Sequence, residues 1–288
     1  MTLGKIEYNS TYFGLTYTFE ENPPHPTIPY SFYEDKYAIT VLLRGEGDCT
    51  VEGNVYSLKC GDLVALSPDE IRCFHFADKG CHERLSVYFS KNLLLPFFEY
   101  DLPLMSVFTN RTPGLGNKYS FCEWESERAK HIAEQLRKLA VCEKDPINTA
   151  KLHMLVIQLL LWMYDARNLN ERKEIITTED PLIFNICCYI KNNLDRDLSY
   201  KTLQKHFFVS RYQLTDVFTR CMGIPLTEYI ICKRLNRAVL LVRDGLGIEE
   251  AAYSAGFNTY SHFYKEFVKH YKKSPRSFFD GISSEHNE

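Results

Sequence analysis

In the last third of the chain, apolar residues recur twice at steps of four behind a small hydroxyl residue. Ser210, Leu214 and Phe218 form the first set, and Thr259, Phe263 and Phe267 repeat it 49 residues later. A hydroxyl followed by apolar residues at this spacing is the pattern of an N-capped amphipathic helix, in which the side-chain oxygen takes an amide left unpaired at the helix start. The equivalence continues upstream, pairing Leu203 with Ala252 in a preceding short helix, and downstream, pairing Tyr229 with Phe278. Two helix-turn-helix units follow from the pattern, and such a doublet points to DNA.

The front of the chain has a different period. Residues 1–120 are rich in Tyr, Phe, Val and Thr, and strand-like runs at 37–43, 48–51, 55–58, 63–66 and 84–89 alternate with turns such as Glu52-Gly53-Asn54 and Cys60-Gly61-Asp62. Short strands with tight turns predict an all-β sandwich or small barrel. Residues 125–141 carry one apolar stripe and a charged opposite face, the mark of a surface helix. Residues 152–164 are apolar on nearly every side, which fits either core packing or a subunit interface shared with the preceding helix; charged replacements at Leu159 and Leu160 separate the two. The predicted division is a barrel at 1–120, helices at 121–166, a polar linker at 167–180, an all-α double helix-turn-helix at 181–282 and a tail at 283–288.

Composition narrows the class. With 45% hydrophobic and 25% charged residues the 288-residue chain reads as soluble and globular. Its charge is uneven: residues 181–288 hold 15 Lys and Arg against 11 Asp and Glu, a balance of +4, whereas the preceding residues stand at −7. A basic half suits phosphate neutralisation. The ten cysteines include no Cys-x-x-Cys pair and no run with zinc-site spacing, so reduced thiols in a cytoplasmic protein without a signal peptide are expected, with redox sensing as the alternative. The most apolar run is interrupted by His153 and Gln158 and is too short to span a bilayer.

The residues from 182 to 279 resemble the AraC-type transcription regulators. The resemblance rests on Ile248, Glu250, Ala252, Gly256-Phe257, Ser261, Phe263, Phe267 and Ser274-Pro275 in the second copy. In the connecting stretch it rests on Gly223-Ile224-Pro225, Tyr229-Ile230, Arg234-Leu235, Ala238 and Leu240-Leu241. It implies two recognition helices joined by one long helix at about 226–243, entering successive major-groove faces ~10 bp apart, so that one chain reads a two-block site in double-stranded DNA. The DNA-contacting residues it implies are Tyr212, Thr215 and Asp216, then Tyr260, Ser261, His262 and Lys265. Arg211 shares the exposed face, and Ser210 and Thr259 cap their helices and offer donors to phosphate. Four positions depart from the family pattern: Phe208 stands where the first turn usually has a small residue, Asp216 where a polar or basic reader is common, Lys272-Lys273 in place of a usual Gly, and Phe279 in place of a usual Arg.

Residues 25–90 are similar to the cupin-like sensor domain attached to many such regulators, through Leu42-Leu43, Gly45, Val51-Glu52-Gly53, Gly61-Asp62-Leu63, Pro68 and Glu83-Arg84. The positions that would hold a cupin metal correspond to Glu34, Lys36, Ala38 and Arg72. An ammonium and a guanidinium have no lone pair for an ion, so neither a metal nor another cofactor is expected there. His25, His75 and His82 are not spaced as a ligand set. Facing inward, Lys36 and Arg72 would instead favour an anionic small-molecule effector. The expectation is a non-enzymatic regulator, homodimeric and effector-responsive, with contact to RNA polymerase open to it as an activator and the sign of regulation, activation or repression, left open by the sequence. An adaptor that no longer binds DNA and a cupin-type enzyme are the alternatives.

Overall fold

The computed structural model describes residues 4–10, 13–21, 27–31, 36–68, 70–76, 81–90, 92–94, 103–121, 123–143, 145–170 and 181–284. The chain forms two compact units, Met1–Asp180 and Pro181–Glu288.

The first unit contains two antiparallel sheets. Its strands are β1 (Gly4–Asn9), β2 (Phe13–Glu21), β3 (Thr27–Ser31), β4 (Tyr37–Arg44), β5 (Gly47–Val51), β6 (Asn54–Leu58), β7 (Leu63–Leu66), β8 (Arg72–Phe76), β9 (Cys81–Phe89) and β10 (Lys118–Tyr119). One sheet has the order β1-β2-β9-β4-β7-β10 and the other β3-β8-β5-β6. Ala38, Leu42, Cys49, Val51, Leu66, Phe74 and Phe76 fill the space between them. The alternate residues Ile39, Val41, Leu85 and Val87 join a second core with the helices α1 (Ser106–Thr109), α2 (Glu123–Ala140) and α3 (Pro146–Asn170). The central strand β4 is thus covered on both faces, which is why its run is apolar rather than alternating.

Two polar devices fix this unit. In the turn from β5 to β6, Glu52 and Gly53 take φ of 50° and 86°, the left-handed pair a two-residue hairpin turn requires. The Glu52 carboxylate is held there by the Ile71 amide at 2.6 Å. Glu70 is fully buried and accepts from Arg111 Nη1 and Nη2 at 2.5 and 2.6 Å, from the amides of Ser67 and Gly114 at 2.7 Å each, and from Asn117 Nδ2 at 3.0 Å. Arg111 loses solvation by burial, but its partner Glu70 outweighs that loss and holds the guanidinium above its ordinary pKa.

The helices depart from the expected bounds. α3 begins at Pro146 and runs through the polar Asn168-Leu169-Asn170 into what the sequence reading made linker; the rest of that stretch, 171–180, lies outside the described residues. Leu159 and Leu160 are fully buried in the unit's own core, so they are packing residues and not an interface. The exposed apolar side of α3 is another stripe, Ile147, Met154 and Leu161, spaced by seven.

The second unit is all helix: α4 (Pro181–Asn192), α5 (Tyr200–Phe207), a wide turn at Gln213–Val217 leading into α6 (Phe218–Met222), α7 (Leu226–Arg243), α8 (Ile248–Ser254), α9 (Tyr260–Tyr271) and α10 (Pro275–Ser284). The 49-residue repeat holds at the level of packing. Phe218 meets Tyr229 edge-on at 5.5 Å, and the equivalent Phe267 meets Phe278 edge-on at 5.3 Å. Leu203, Leu214 and Phe218 are fully buried, as are Ala252, Phe263 and Phe267. Burying each such ring or Leu side chain contributes about 1.5–3 kcal/mol. Even the helix ends agree, since Gly223 and Lys272, 49 residues apart, both take left-handed φ, at 73° and 59°.

Candidate nucleic-acid interface

In the first copy, Ser210 builds a reciprocal cap. Its Oγ accepts from the Gln213 amide at 3.2 Å, while Gln213 Oε1 accepts from the Ser210 amide at 2.8 Å. The helix that follows buries Leu214 and Phe218 and leaves Arg211, Tyr212 and Asp216 exposed, with Thr215 half-buried. The Arg211 guanidinium lies over the Tyr200 ring at 5.0 Å, which steadies a long cation beside the helix start. Thr215 Oγ1 bonds the Arg211 carbonyl at 3.1 Å and the Asp216 carboxylate at 2.6 Å. A hydroxyl on that carbonyl competes with the backbone ladder, and the wide turn sits there.

In the second copy, Thr259 is the cap, its Oγ1 accepting from the His262 amide at 3.2 Å. Phe263 and Phe267 are buried, and Ser261, His262 and Lys265 are exposed on the opposite side of α9. Tyr260 is half-buried with its ring 5.7 Å from Phe263, and burial raises its phenol pKa above the ordinary value. His262 rests edge-on against Phe257 at 5.6 Å. The ten named residues thus fall into two like sets, each at the start of a capped helix.

One side chain bolts the two copies together. Arg234, on α7, donates from Nε to the Leu194 carbonyl at 2.9 Å and from Nη2 to the Arg196 carbonyl at 3.0 Å, in the loop ahead of α5. Gly256, in the turn between α8 and α9, lies against the same Leu194 carbonyl with φ of 100°. The spacing of the two helix starts is therefore held by backbone contacts through α7, which the sequence signalled only as Arg234 and Gly256 within the family pattern.

The effector residues fare differently. Arg72 is buried, with Nη1 donating to the Glu70 carbonyl at 3.4 Å. Lys36 is exposed just ahead of β4, so the expected inward pairing with Arg72 is corrected: a solvated ammonium there avoids the desolvation that an interior position would impose. Glu34 and His25 lie outside the described residues, and Ala38 is core. His75 is half-buried, and His82 is buried and stacked on Phe76 at 4.0 Å. The cation that does share the inner face is Arg84, paired in register with Leu42 and placed over the Phe76 ring at 5.7 Å. Its signal was strand parity, since it alternates with the outward Leu85.

On the outer side of the first unit, α2 and α3 enclose a groove of about 1030 Å³ lined by Leu139, Ile147, Met154, Leu155 and Leu161 with Lys138 at its edge. Among the described residues no helix is long and apolar enough to cross a membrane.

Comparison with known proteins agrees with this geometry. Residues 203–281 match a family described as a helix-turn-helix domain. The uncharacterized HTH-type transcriptional regulator YfiF of Bacillus subtilis (strain 168) is 26% identical over 127 residues, covering 44% of this chain and 40% of YfiF. The uncharacterized HTH-type transcriptional regulator SAS0078 of Staphylococcus aureus (strain MSSA476) is 27% identical over 245 residues, covering 83% of this chain and 31% of that protein. The chain thus spans less than half the length of these curated relatives. The crystal structure of unsaturated fatty acid bound wild-type ToxT from Vibrio cholerae strain SCE256 is 15% identical with a TM-score of 0.42, covering 94% of this chain and 95% of ToxT. Residues 203–281 thus match a helix-turn-helix domain over the stretch that holds the two capped helices.

Proposed function

We propose that this chain is a sequence-specific DNA-binding transcription regulator of the AraC type, reading a two-block site in double-stranded DNA and responding to a small anionic effector held by its cupin-like unit. The observation that carries the reading is the repeated capped helix, with equivalent buried rings and an exposed polar face in each copy. Ser210 and Thr259 place helix amides at phosphates. Arg211, Tyr212, Thr215 and Asp216 in the first copy, and Tyr260, Ser261, His262 and Lys265 in the second, face base edges. Asp216 is shielded by its bond from Thr215 and is suited to accept from a cytosine amino group.

Arg72 shares the face of β8 that carries Phe74 and Phe76, and Arg84, on β9, lies over the Phe76 ring, so both belong to the inner face. They favour a carboxylate or phosphorylated effector over a neutral one. The α2–α3 groove, with the apolar stripe of Ile147, Met154 and Leu161 spaced by seven, is the homodimer face. The chain acts in the cytoplasm and is not an enzyme.

The test is binding of labelled duplex over a series of salt concentrations. Lys265→Ala as a phosphate contact lowers the salt slope by about one, and as a base contact relaxes one position of the site. Absence of any salt-sensitive duplex binding would sink the reading and leave an adaptor. Anionic metabolites that change neither thermal stability nor DNA affinity would remove the effector part alone.

A further inference from the structure

Glu228 and Cys232 stand one turn apart on α7, and Glu266 and His270 one turn apart on α9, so each of two packed helices offers a pair of donors to one place. Ligating atoms of Glu228, Cys232 and His270 all lie within 4.8 Å of one another. His270 Nε2 is 3.3 Å from Glu228 Oε1 and 3.9 Å from Glu266 Oε2. Cys232 is fully buried at the floor, and the His270 and Glu266 side chains are only 7% and 12% exposed. We propose that Glu228, Cys232, Glu266 and His270 form a zinc site that clamps α9, the second DNA-facing helix, to the connecting helix α7.

The donor set decides the ion. A thiol and an imidazole beside two carboxylates suit zinc and its neighbours, whereas calcium and magnesium take oxygen alone. Donor atoms around a tetrahedral zinc stand roughly 3.3–3.8 Å apart, so side-chain adjustments of about 1 Å close the set of Glu228, Cys232 and His270, and Glu266, 3.9 Å from His270 Nε2, joins it by rotation of its longer side chain. The Lys269 ammonium now sits on Glu228 at 3.2 Å and Glu266 at 3.4 Å, and it is 53% exposed at the mouth. A plain ion-pair network would need only these charges; it would have no use for a thiol beneath them.

Binding balances simply. The Cys232 thiol releases its proton to solvent, one zinc–sulfur, one zinc–nitrogen and two zinc–oxygen bonds form as the hydrated ion sheds its waters, and Lys269 leaves the carboxylates for water still charged. His270 ligates as the neutral imidazole.

The experiment strips the full chain with a chelator and titrates it with cobalt(II), which reports thiolate ligation optically. One equivalent is expected, with a sulfur-to-cobalt charge-transfer band that zinc abolishes. Cys232→Ser loses the band, Glu266→Gln and His270→Gln weaken cobalt binding at least about tenfold, and Lys269→Met does not weaken it. Since Cys232 is buried, the part-exposed Glu266 supplies a variant whose helical signal is expected to match the parent. A band that survives Cys232→Ser, or affinity unchanged in Glu266→Gln and His270→Gln, or no stoichiometric cobalt, overturns the site. None of these outcomes depends on DNA binding.

Discussion

Replacing Gly256 by Ala probes the bolt between the two helix-turn-helix copies. A Cβ there would stand 1.9 Å from the Leu194 carbonyl oxygen and 2.8 Å from Arg234 Nε. That carbonyl cannot stay where it is, and moving it breaks the 2.9 Å hydrogen bond it receives from Arg234. Three costs combine: about 1–2 kcal/mol for a side chain at left-handed φ, about 1–3 kcal/mol for overpacking, and about 1.5–3 kcal/mol for the charged hydrogen bond. Since the shifted loop recovers part of each, the expected loss is roughly 3–6 kcal/mol, against a domain stability of about 5–15 kcal/mol. Both tryptophans, Trp124 and Trp162, lie in the first unit, so fluorescence follows that unit and far-ultraviolet circular dichroism also follows the helices of the second. In urea, Gly256→Ala should shift the dichroism transition to lower concentration and leave the fluorescence midpoint in place. A dichroism transition within about 1 kcal/mol of the parent would refute the reasoning.

Glu70→Gln removes the charge from a buried pair with Arg111 and should cost about 3–5 kcal/mol, read as an earlier fluorescence midpoint with the second unit unaffected. Phe208 holds left-handed φ of 55° while 94% exposed, so Phe208→Gly relieves backbone strain without losing packing and should raise stability by about 0.5–1 kcal/mol in the dichroism transition. Ser210→Ala and Thr259→Ala should each cost about 1 kcal/mol and speed amide exchange in the first turn of their helices. Met154→Glu, at a side chain 58% exposed, should leave stability within about 0.5 kcal/mol while sedimentation shows a dimer falling to monomer; an unchanged sedimentation coefficient would remove the groove from the interface.

The second unit was legible because its information is local. Caps, fours-spaced rings and the long helix are written within one or two turns, and the repeat supplied each reading twice: Ser210 with Thr259, Phe218 with Phe267. The departures at Phe208 and Lys272 were also visible as residues standing where glycine is usual, and both occupy left-handed positions. The apolar segment 152–164 was different, since its pattern pointed everywhere and only the fold shows Leu159 and Leu160 inward and Leu161 outward. The Glu70, Arg111 and Asn117 network joins residues more than forty apart through a loop, and carries no periodic signal. The same holds for Cys232 and His270, 38 residues apart and unlike any zinc spacing, which meet only because α7 and α9 pack. Lys36 misled because residue type says nothing of which way the chain turns before a strand.

The most direct test of the central claim is selection of bound sequences from a random duplex pool by the full-length chain, repeated with Lys265→Ala and Tyr212→Ala. The account expects two short enriched blocks separated by ~10 bp, with Lys265→Ala relaxing one block and Tyr212→Ala the other. No enrichment with or without anionic ligands, or one block altered by both substitutions alike, would contradict two independently reading helices.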